Sequence, residues 1–113
     1  MRLEKFVNLI REEAIDDEIQ LFREILAEDD RNVTDPYWRN VRSLVAKLKP
    51  SDVECVLSIV RQVSVDATAV VLGILDGTCC VTNEKMEIRL EVNGQVYSSG
   101  ELQEQLFIQE QKQ

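Results

Sequence analysis

Apolar residues recur through the first quarter of the chain at helical spacing: Leu3, Phe6, Val7, Ile10 and Ala14, then, after a small phase shift, Ile15, Ile19, Phe22, Ile25 and Leu26. A 3.6-residue period keeps these side chains on one face and predicts amphipathic helix. The phase shift leaves two readings open. Either one helix bends through Asp16-Asp17, or a first helix ends near Ala14 and Asp16 caps a second, with Asp17 and Glu18 beside its positive dipole end. A break or kink there is the favoured reading. Glu28 to Val33 is poor in apolar residues and reads as a connecting loop. Thr34-Asp35-Pro36 then offers a cap and a first-turn proline before Tyr37, Trp38, Val41, Leu44, Val45 and Leu48 mark another amphipathic helix. Pro50 ends that helix. Ser51-Asp52-Val53-Glu54 has the form of a capping box, in which the serine hydroxyl and glutamate carboxylate each accept a free backbone N–H, so the next helix is predicted to start there.

This next helix carries Val53, Val56, Leu57, Val60 and Val63 on one stripe and becomes apolar nearly all round from Val65 to Leu75, which predicts that its second half is the central core helix. The β-branched residues there also suit a strand, but the length and the glycine at position 77 favour a helix with a C′ glycine. Gly73 lowers the local helix preference by about 1 kcal/mol relative to alanine and suggests close packing. The period then changes. Met86, Ile88, Leu90 and Val92 alternate with polar residues, as in a half-buried strand, and Asn93-Gly94 signals a two-residue hairpin turn that pairs Leu90 with Tyr97. Cys79 to Thr82 is a candidate third strand, ahead of a turn at Asn83-Glu84-Lys85. A last helix opens at Ser99-Gly100-Glu101-Leu102 and runs through Leu106 and Phe107, with Gln109 to Gln113 expected to fray. The predicted fold is α+β: a mostly helical bundle of four to five helices with a small antiparallel hairpin or three-stranded meander before the last helix.

A chain of 113 residues fits a single compact domain, 1–113, that buries roughly two-thirds of its unfolded surface. At 44% hydrophobic and 30% charged, it has a globular composition. The net charge is −8, and the first 35 residues hold 11 of the 21 acidic side chains against 5 basic ones. That balance repels phosphate backbones, so nucleic acid is not an expected partner and a basic protein is. Between residues 36 and 62 five basic residues face two acidic ones, so the molecule is expected to be dipolar. No secretory leader pattern is visible at the start, and no apolar run approaches the roughly eighteen residues that span a bilayer, so no membrane is expected and the cytoplasm is the default location. Cys55, Cys79 and Cys80 lack metal-ligand and CxxC spacing and read as reduced, mostly buried thiols.

The chemistry is marked by what is missing. There is no histidine, which removes the Ser-His-Asp and Cys-His constellations and most catalytic zinc sites. The glycines form neither GxGxxG nor GxxxxGK, which removes glycine-rich phosphate loops. The stretch from Asp30 begins like a calcium loop, but Asp35 stands where the turn glycine belongs and Val41 where the bidentate glutamate belongs. Glu12, Glu13, Asp16, Asp17 and Glu18 could gather carboxylates for Mg²⁺ at i, i+3 and i, i+4 spacing. Glu13 and Asp16 fit the E-x-x-D half-motif of all-α NTP pyrophosphatases, yet no second acidic pair is recognisable, so the stronger reading is a solvated acidic face that meets a partner. No cofactor and no metal are therefore expected. Asp66, among apolar neighbours, is expected to pair with an arginine of the preceding helix, Arg39 or Arg42. Trp38 beside Tyr37 is either a core anchor or the aromatic part of a contact patch.

The run V-D-A-T-A-V-V-L-G-I-L-D-G-T, the hairpin E-I-R-L-E-V-N-G-Q-V-Y and E-L-Q-E-Q-L-F, spanning Arg61 to Phe107, resemble small bacterial proteins of no assigned activity. In size, charge and lack of catalytic motifs the chain is similar to immunity proteins, the cytosolic inhibitors that bacteria pair with secreted nuclease toxins. That similarity implies a protein-binding module that covers a basic partner surface, with Glu12, Glu13, Asp16, Asp17, Tyr37 and Trp38 as candidate contacts. A metal-dependent nucleotide hydrolase using the N-terminal carboxylates and a structural homodimer, its apolar helices completing their burial across a two-fold axis, are the alternatives.

Overall fold

The structure is a computed structural model and describes residues 1–28, 30–79, 81, 83–84, 86–97 and 100–112. The first amphipathic stripe becomes one helical path in three pieces: α1 (Leu3–Arg11), a π-helical turn (Glu12–Asp16) and α2 (Asp17–Ala27). A π turn holds an extra residue, so it rotates everything beyond it and accounts for the phase shift in the stripe. The alternative in which Asp16 caps a separate helix is thereby corrected. Its backbone is helical, at φ −64° and ψ −48°, and its side chain makes no cap hydrogen bond. Because of the added residue, Val7 before the turn and Ile15 within it both reach the interior.

α3 (Pro36–Val45) starts as predicted, with the Asp35 carboxylate accepting the Tyr37 amide at 2.9 Å and a proline in the first turn. α4 (Pro50–Leu75) does not use the predicted capping box. Pro50 sits in its first turn, where a pre-set φ needs no side-chain cap, and the Lys49 carbonyl accepts the Asp52 and Val53 amides at 2.9 and 3.0 Å. Glu54 turns instead to Arg23 of α2, taking hydrogen bonds of 2.8 and 2.9 Å from its guanidinium. Gly77, at φ +83°, follows the end of α4 and fits the predicted C′ glycine.

Asn93 and Gly94, at φ +51° and +81°, form the turn between β1 (Glu91–Val92) and β2 (Gln95–Val96), antiparallel with Glu91 opposite Val96 and Val92 opposite Gln95. The Tyr97 amide donates to the Leu90 carbonyl at 3.2 Å, the pairing that the two-residue turn predicts. The candidate third strand is not seen among the described residues, where Val81 makes only an isolated bridge to Glu84; Cys80, Thr82 and Lys85 lie outside them. α5 (Glu101–Gln111) closes the chain, giving a mostly helical α+β fold with a two-stranded antiparallel hairpin before the last helix. Ser99, where the last helix was expected to open, also lies outside the described residues. The expected fraying from Gln109 is not seen among the described residues, where Gln109 donates to the Glu4 carbonyl at 3.0 Å and the helix persists to Gln111; Gln113 lies outside them.

The core gathers Val7, Ile15, Val65, Ala69, Leu72, Tyr97, Leu102 and Leu106, where α1, the π turn, α4 and α5 meet. Phe6 stacks on Tyr97 with ring centroids 5.2 Å apart, and the Tyr97 hydroxyl donates to the Met1 carbonyl at 2.9 Å. Gly73 leaves space that two side chains fill: a Cβ there would lie 2.5 Å from Cys79 Sγ and 2.7 Å from Gln103 Nε2 of α5. That amide also donates to the Ala69 carbonyl at 3.0 Å.

Two expectations about burial are corrected. The second half of α4 does enter the core, through Val65, Ala69 and Leu72, yet although it is apolar nearly all round only one side of it is covered, and the predicted first-half stripe is covered only in part. Ile59, Val63, Val70 and Val71 are 59%, 61%, 51% and 55% exposed. By length and composition α4 could also cross a membrane, contrary to the expectation that no segment is apolar enough, and only 22% of its most apolar stretch is buried in the chain. Cys55 is exposed and Cys79 half-buried, both free, where buried thiols were expected. The molecule is elongated, 47 × 31 × 24 Å, with a radius of gyration of 17.6 Å.

Candidate functional site

The π turn decides which N-terminal carboxylates face outward. Glu12 is exposed and accepts from Asn8 Nδ2 at 2.9 Å, one helical turn behind it. Asp16, half-buried, receives Arg61 Nη1 of α4 at 3.0 Å. It is thus a partly exposed carboxylate already engaged by α4. Glu13 and Asp17, with Glu18, Gln20, Leu21 and Glu24, line a shallow hollow on the π turn and α2. Leu21 and Glu24 also line a second hollow, with Ile25, Glu28, Val33 and Trp38, so the acidic and aromatic candidates lie on neighbouring parts of one surface.

Trp38 is half-buried outside the main core and meets Phe22 edge-on, with centroids 5.2 Å apart at 72°. It anchors α3 on α2 and leaves part of the indole at the second hollow. Tyr37 crosses Trp38 edge-on at 5.2 Å and is exposed. The basic residues of α3 are engaged by backbone oxygens: Arg39 donates to the Val33 carbonyl at 2.9 Å and Arg42 to the Glu28 carbonyl. They hold the end of α2 and the loop after it against α3. Neither pairs with Asp66, which is exposed and accepts from Gln62 at 2.9 Å, so the expected internal ion pair is corrected. An apolar sequence neighbourhood did not mean burial here, because Asp66 lies on the uncovered side of α4.

The buried charge lies elsewhere. Arg11, 5% exposed at the start of the π turn, donates to Asn8 Oδ1 at 3.1 Å and has Nε 3.7 Å from Glu110 of α5. Glu110 also takes Arg61 Nη2 at 2.9 Å, so Arg61 bridges Asp16 and Glu110 and ties the π turn to α4 and α5. Burial opposes the Arg61 charge, but hydrogen bonds to Asp16 and Glu110 outweigh it and hold the guanidinium above its ordinary pKa. Asp76, 6% exposed, joins the end of α4 to the start of α5 by accepting the Thr78 amide at 2.9 Å and the Gln103 amide at 3.0 Å. Burial alone would raise its pKa. The Gln103 amide, the Thr78 hydroxyl and amide and the Leu102 amide overcome this and hold the carboxyl below its ordinary value. The D-G-T sequence at 76–78 was the available signal, since Asp before glycine commonly takes the amide two residues on.

Among the described residues no three of Asp, Glu or Cys stand close enough together to hold a metal ion. Glu13 and Asp16, the candidate E-x-x-D pair, point to different environments, one to solvent and one to Arg61. The exposed thiol of Cys55 has no histidine to activate it. The surface therefore offers charge and aromatic contact. Compared with known protein families, curated proteins and solved structures, the chain matches none of them.

Proposed function

We propose that this chain is a non-catalytic binding protein of the immunity-inhibitor kind, acting in the cytoplasm, whose α2 face covers a basic surface of a partner protein. One observation carries the reading: Glu13, Asp17, Glu18 and Glu24 line a hollow that shares Leu21 and Glu24 with the hollow at Trp38. The carboxylates speed encounter with a basic partner, and the aromatic edge beside them supplies desolvated contact once the two meet. Asp16 is structural in this scheme, since it holds Arg61.

The test begins with a tagged pull-down from the source cells at low and high salt, and continues with stopped-flow association of the purified partner. Reversing Glu13, Asp17 and Glu18 to lysine should slow association by about tenfold or more and flatten its salt dependence. Unchanged rates with unchanged salt dependence would overturn the acidic-face reading. Calorimetric titration with Mg²⁺ and Mn²⁺ addresses the hydrolase alternative, which a saturable heat would revive.

A further inference from the structure

We infer that two copies of this chain pair through the uncovered face of α4, antiparallel about a two-fold axis level with Val65. The face is a stripe of Ile59, Val63, Ala67, Val70 and Ile74, with Val71 on its flank, at helical spacing. Its members range from half-buried to mostly exposed. Soluble chains do not ordinarily leave so continuous an apolar patch open, and such patches mark contact surfaces.

Three observations favour a second copy as the occupant. The first is area. A folded chain of 13.0 kDa ordinarily exposes roughly 6,300 Å² and has a radius of gyration of about 13 Å for this length, whereas this one exposes 8045 Å² at 17.6 Å. The surplus of about 1,700 Å² belongs to the whole elongated chain, the uncovered face of α4 included, and leaves room for the roughly 800 Å² that each partner buries in an interface of standard size. The second is symmetry. Reversing the helix about Val65 sets Val63 level with Ala67, Val60 with Val70, Ile59 with Val71 and Val56 with Ile74 of the second copy, so along this stripe apolar residues meet apolar residues, while Asp66 comes level with Ser64 at the rim. An isologous contact requires this self-complementarity.

The third is charge. Two chains of net charge −8 repel one another over most approaches, but this stripe is uncharged. Glu54 and Arg61, though on the same helix, are turned to Arg23 and to Asp16 and Glu110. Asp66 stands at the rim, hydrogen-bonded along its own helix by Gln62. A basic partner would find little to answer its charge here, whereas in the antiparallel pair the two Asp66 carboxylates come near each other only at the rim beside the axis, where solvent and salt screen them.

The experiment is sedimentation equilibrium of the full chain at two concentrations about twentyfold apart, with V63E and V70E as variants and circular dichroism as the control for folding. Both positions are more than half exposed in the single chain, at 61% and 51%, so the helical spectrum should not change. The expected result is a mass of twice 13.0 kDa for the wild type, with dissociation strengthened by about 100-fold or more in each variant. The variant with Glu13, Asp17 and Glu18 reversed to lysine should remain dimeric. A wild type that is monomeric at both concentrations, or a dimer unaffected by V63E and V70E, overturns the proposal. So does a monomer that co-sediments with phosphatidylcholine–phosphatidylserine vesicles and loses that binding in V63E, which would assign the face to a bilayer surface.

Discussion

Asp76 is the side chain on which the joint between α4 and α5 depends, and its replacement gives the sharpest test of the fold. Its two oxygens take the Thr78 and Gln103 amides at 2.9 and 3.0 Å, and Gly100, which precedes α5, has no side chain to cap the helix. Asp76 therefore caps α5 from outside that helix. Asp76→Ala leaves both amides without this acceptor in a buried place. An N-cap is worth about 0.5–2 kcal/mol and a hydrogen bond to a charged group about 1.5–3 kcal/mol, and since the two overlap at Gln103 the expected loss is about 3 kcal/mol. Asp76→Asn keeps one carbonyl oxygen but turns an NH₂ toward an amide donor, so its loss should be about 2 kcal/mol.

The sign of the pH dependence follows from the lowered pKa of Asp76 in the folded chain. Its stabilisation is complete above the unfolded value, near 3.8, and disappears as pH falls through the still lower folded value. Urea unfolding of wild type and D76N at one fixed protein concentration, at pH 7 and then stepwise into the acid range, measures this. The gap between them should be widest at neutral pH and narrow below about pH 4. A D76A loss under about 0.5 kcal/mol, or a gap between wild type and D76N that stays constant into acid, would refute the capping argument.

Other substitutions test the remaining packing and charge arguments. Glu110→Gln removes the carboxylate shared by Arg61 and the buried Arg11 and should cost about 3 kcal/mol in thermal or urea unfolding. Gly73→Ala places a methyl against Cys79 Sγ and Gln103 Nε2; the displaced Gln103 amide loses its bond to Ala69, so despite the better helix former the melting temperature should fall, by an amount corresponding to about 1–2 kcal/mol. Asp66→Asn, at an exposed position, should leave stability within about 0.5 kcal/mol of wild type.

Much of the secondary structure was legible because it rests on local rules. The Asp35-Pro36 start of α3, the Gly77 stop after α4 and the Asn93-Gly94 turn all depend on backbone preferences within a few residues, and all stand where the chain pattern puts them. The stripe along residues 3–26 even carried the mark of the π turn as a phase shift, although the pattern could not tell an inserted residue from a helix break. The Ser51–Glu54 box failed for a reason outside its own segment: Arg23 of α2 offers Glu54 a charged partner, and Pro50 had already begun the helix.

The candidate site divides along the same line. That the N-terminal segment is acidic, and that Tyr37 and Trp38 adjoin on one helix, belong to the sequence alone. Tertiary structure decided that Asp16 is engaged by Arg61, that Leu21 and Glu24 join the acidic hollow to the Trp38 hollow, and that Asp76 is buried while Asp66 is exposed. It also decided which half of α4 is covered. The stretch from Val65 to Leu75 is apolar on nearly every side and gives a period little phase to report, and in the first half the predicted stripe is split, with Leu57 covered and Val63 open, so only the placement of α1, the π turn and α5 on one side could leave Ile59, Val63, Val70 and Val71 facing out.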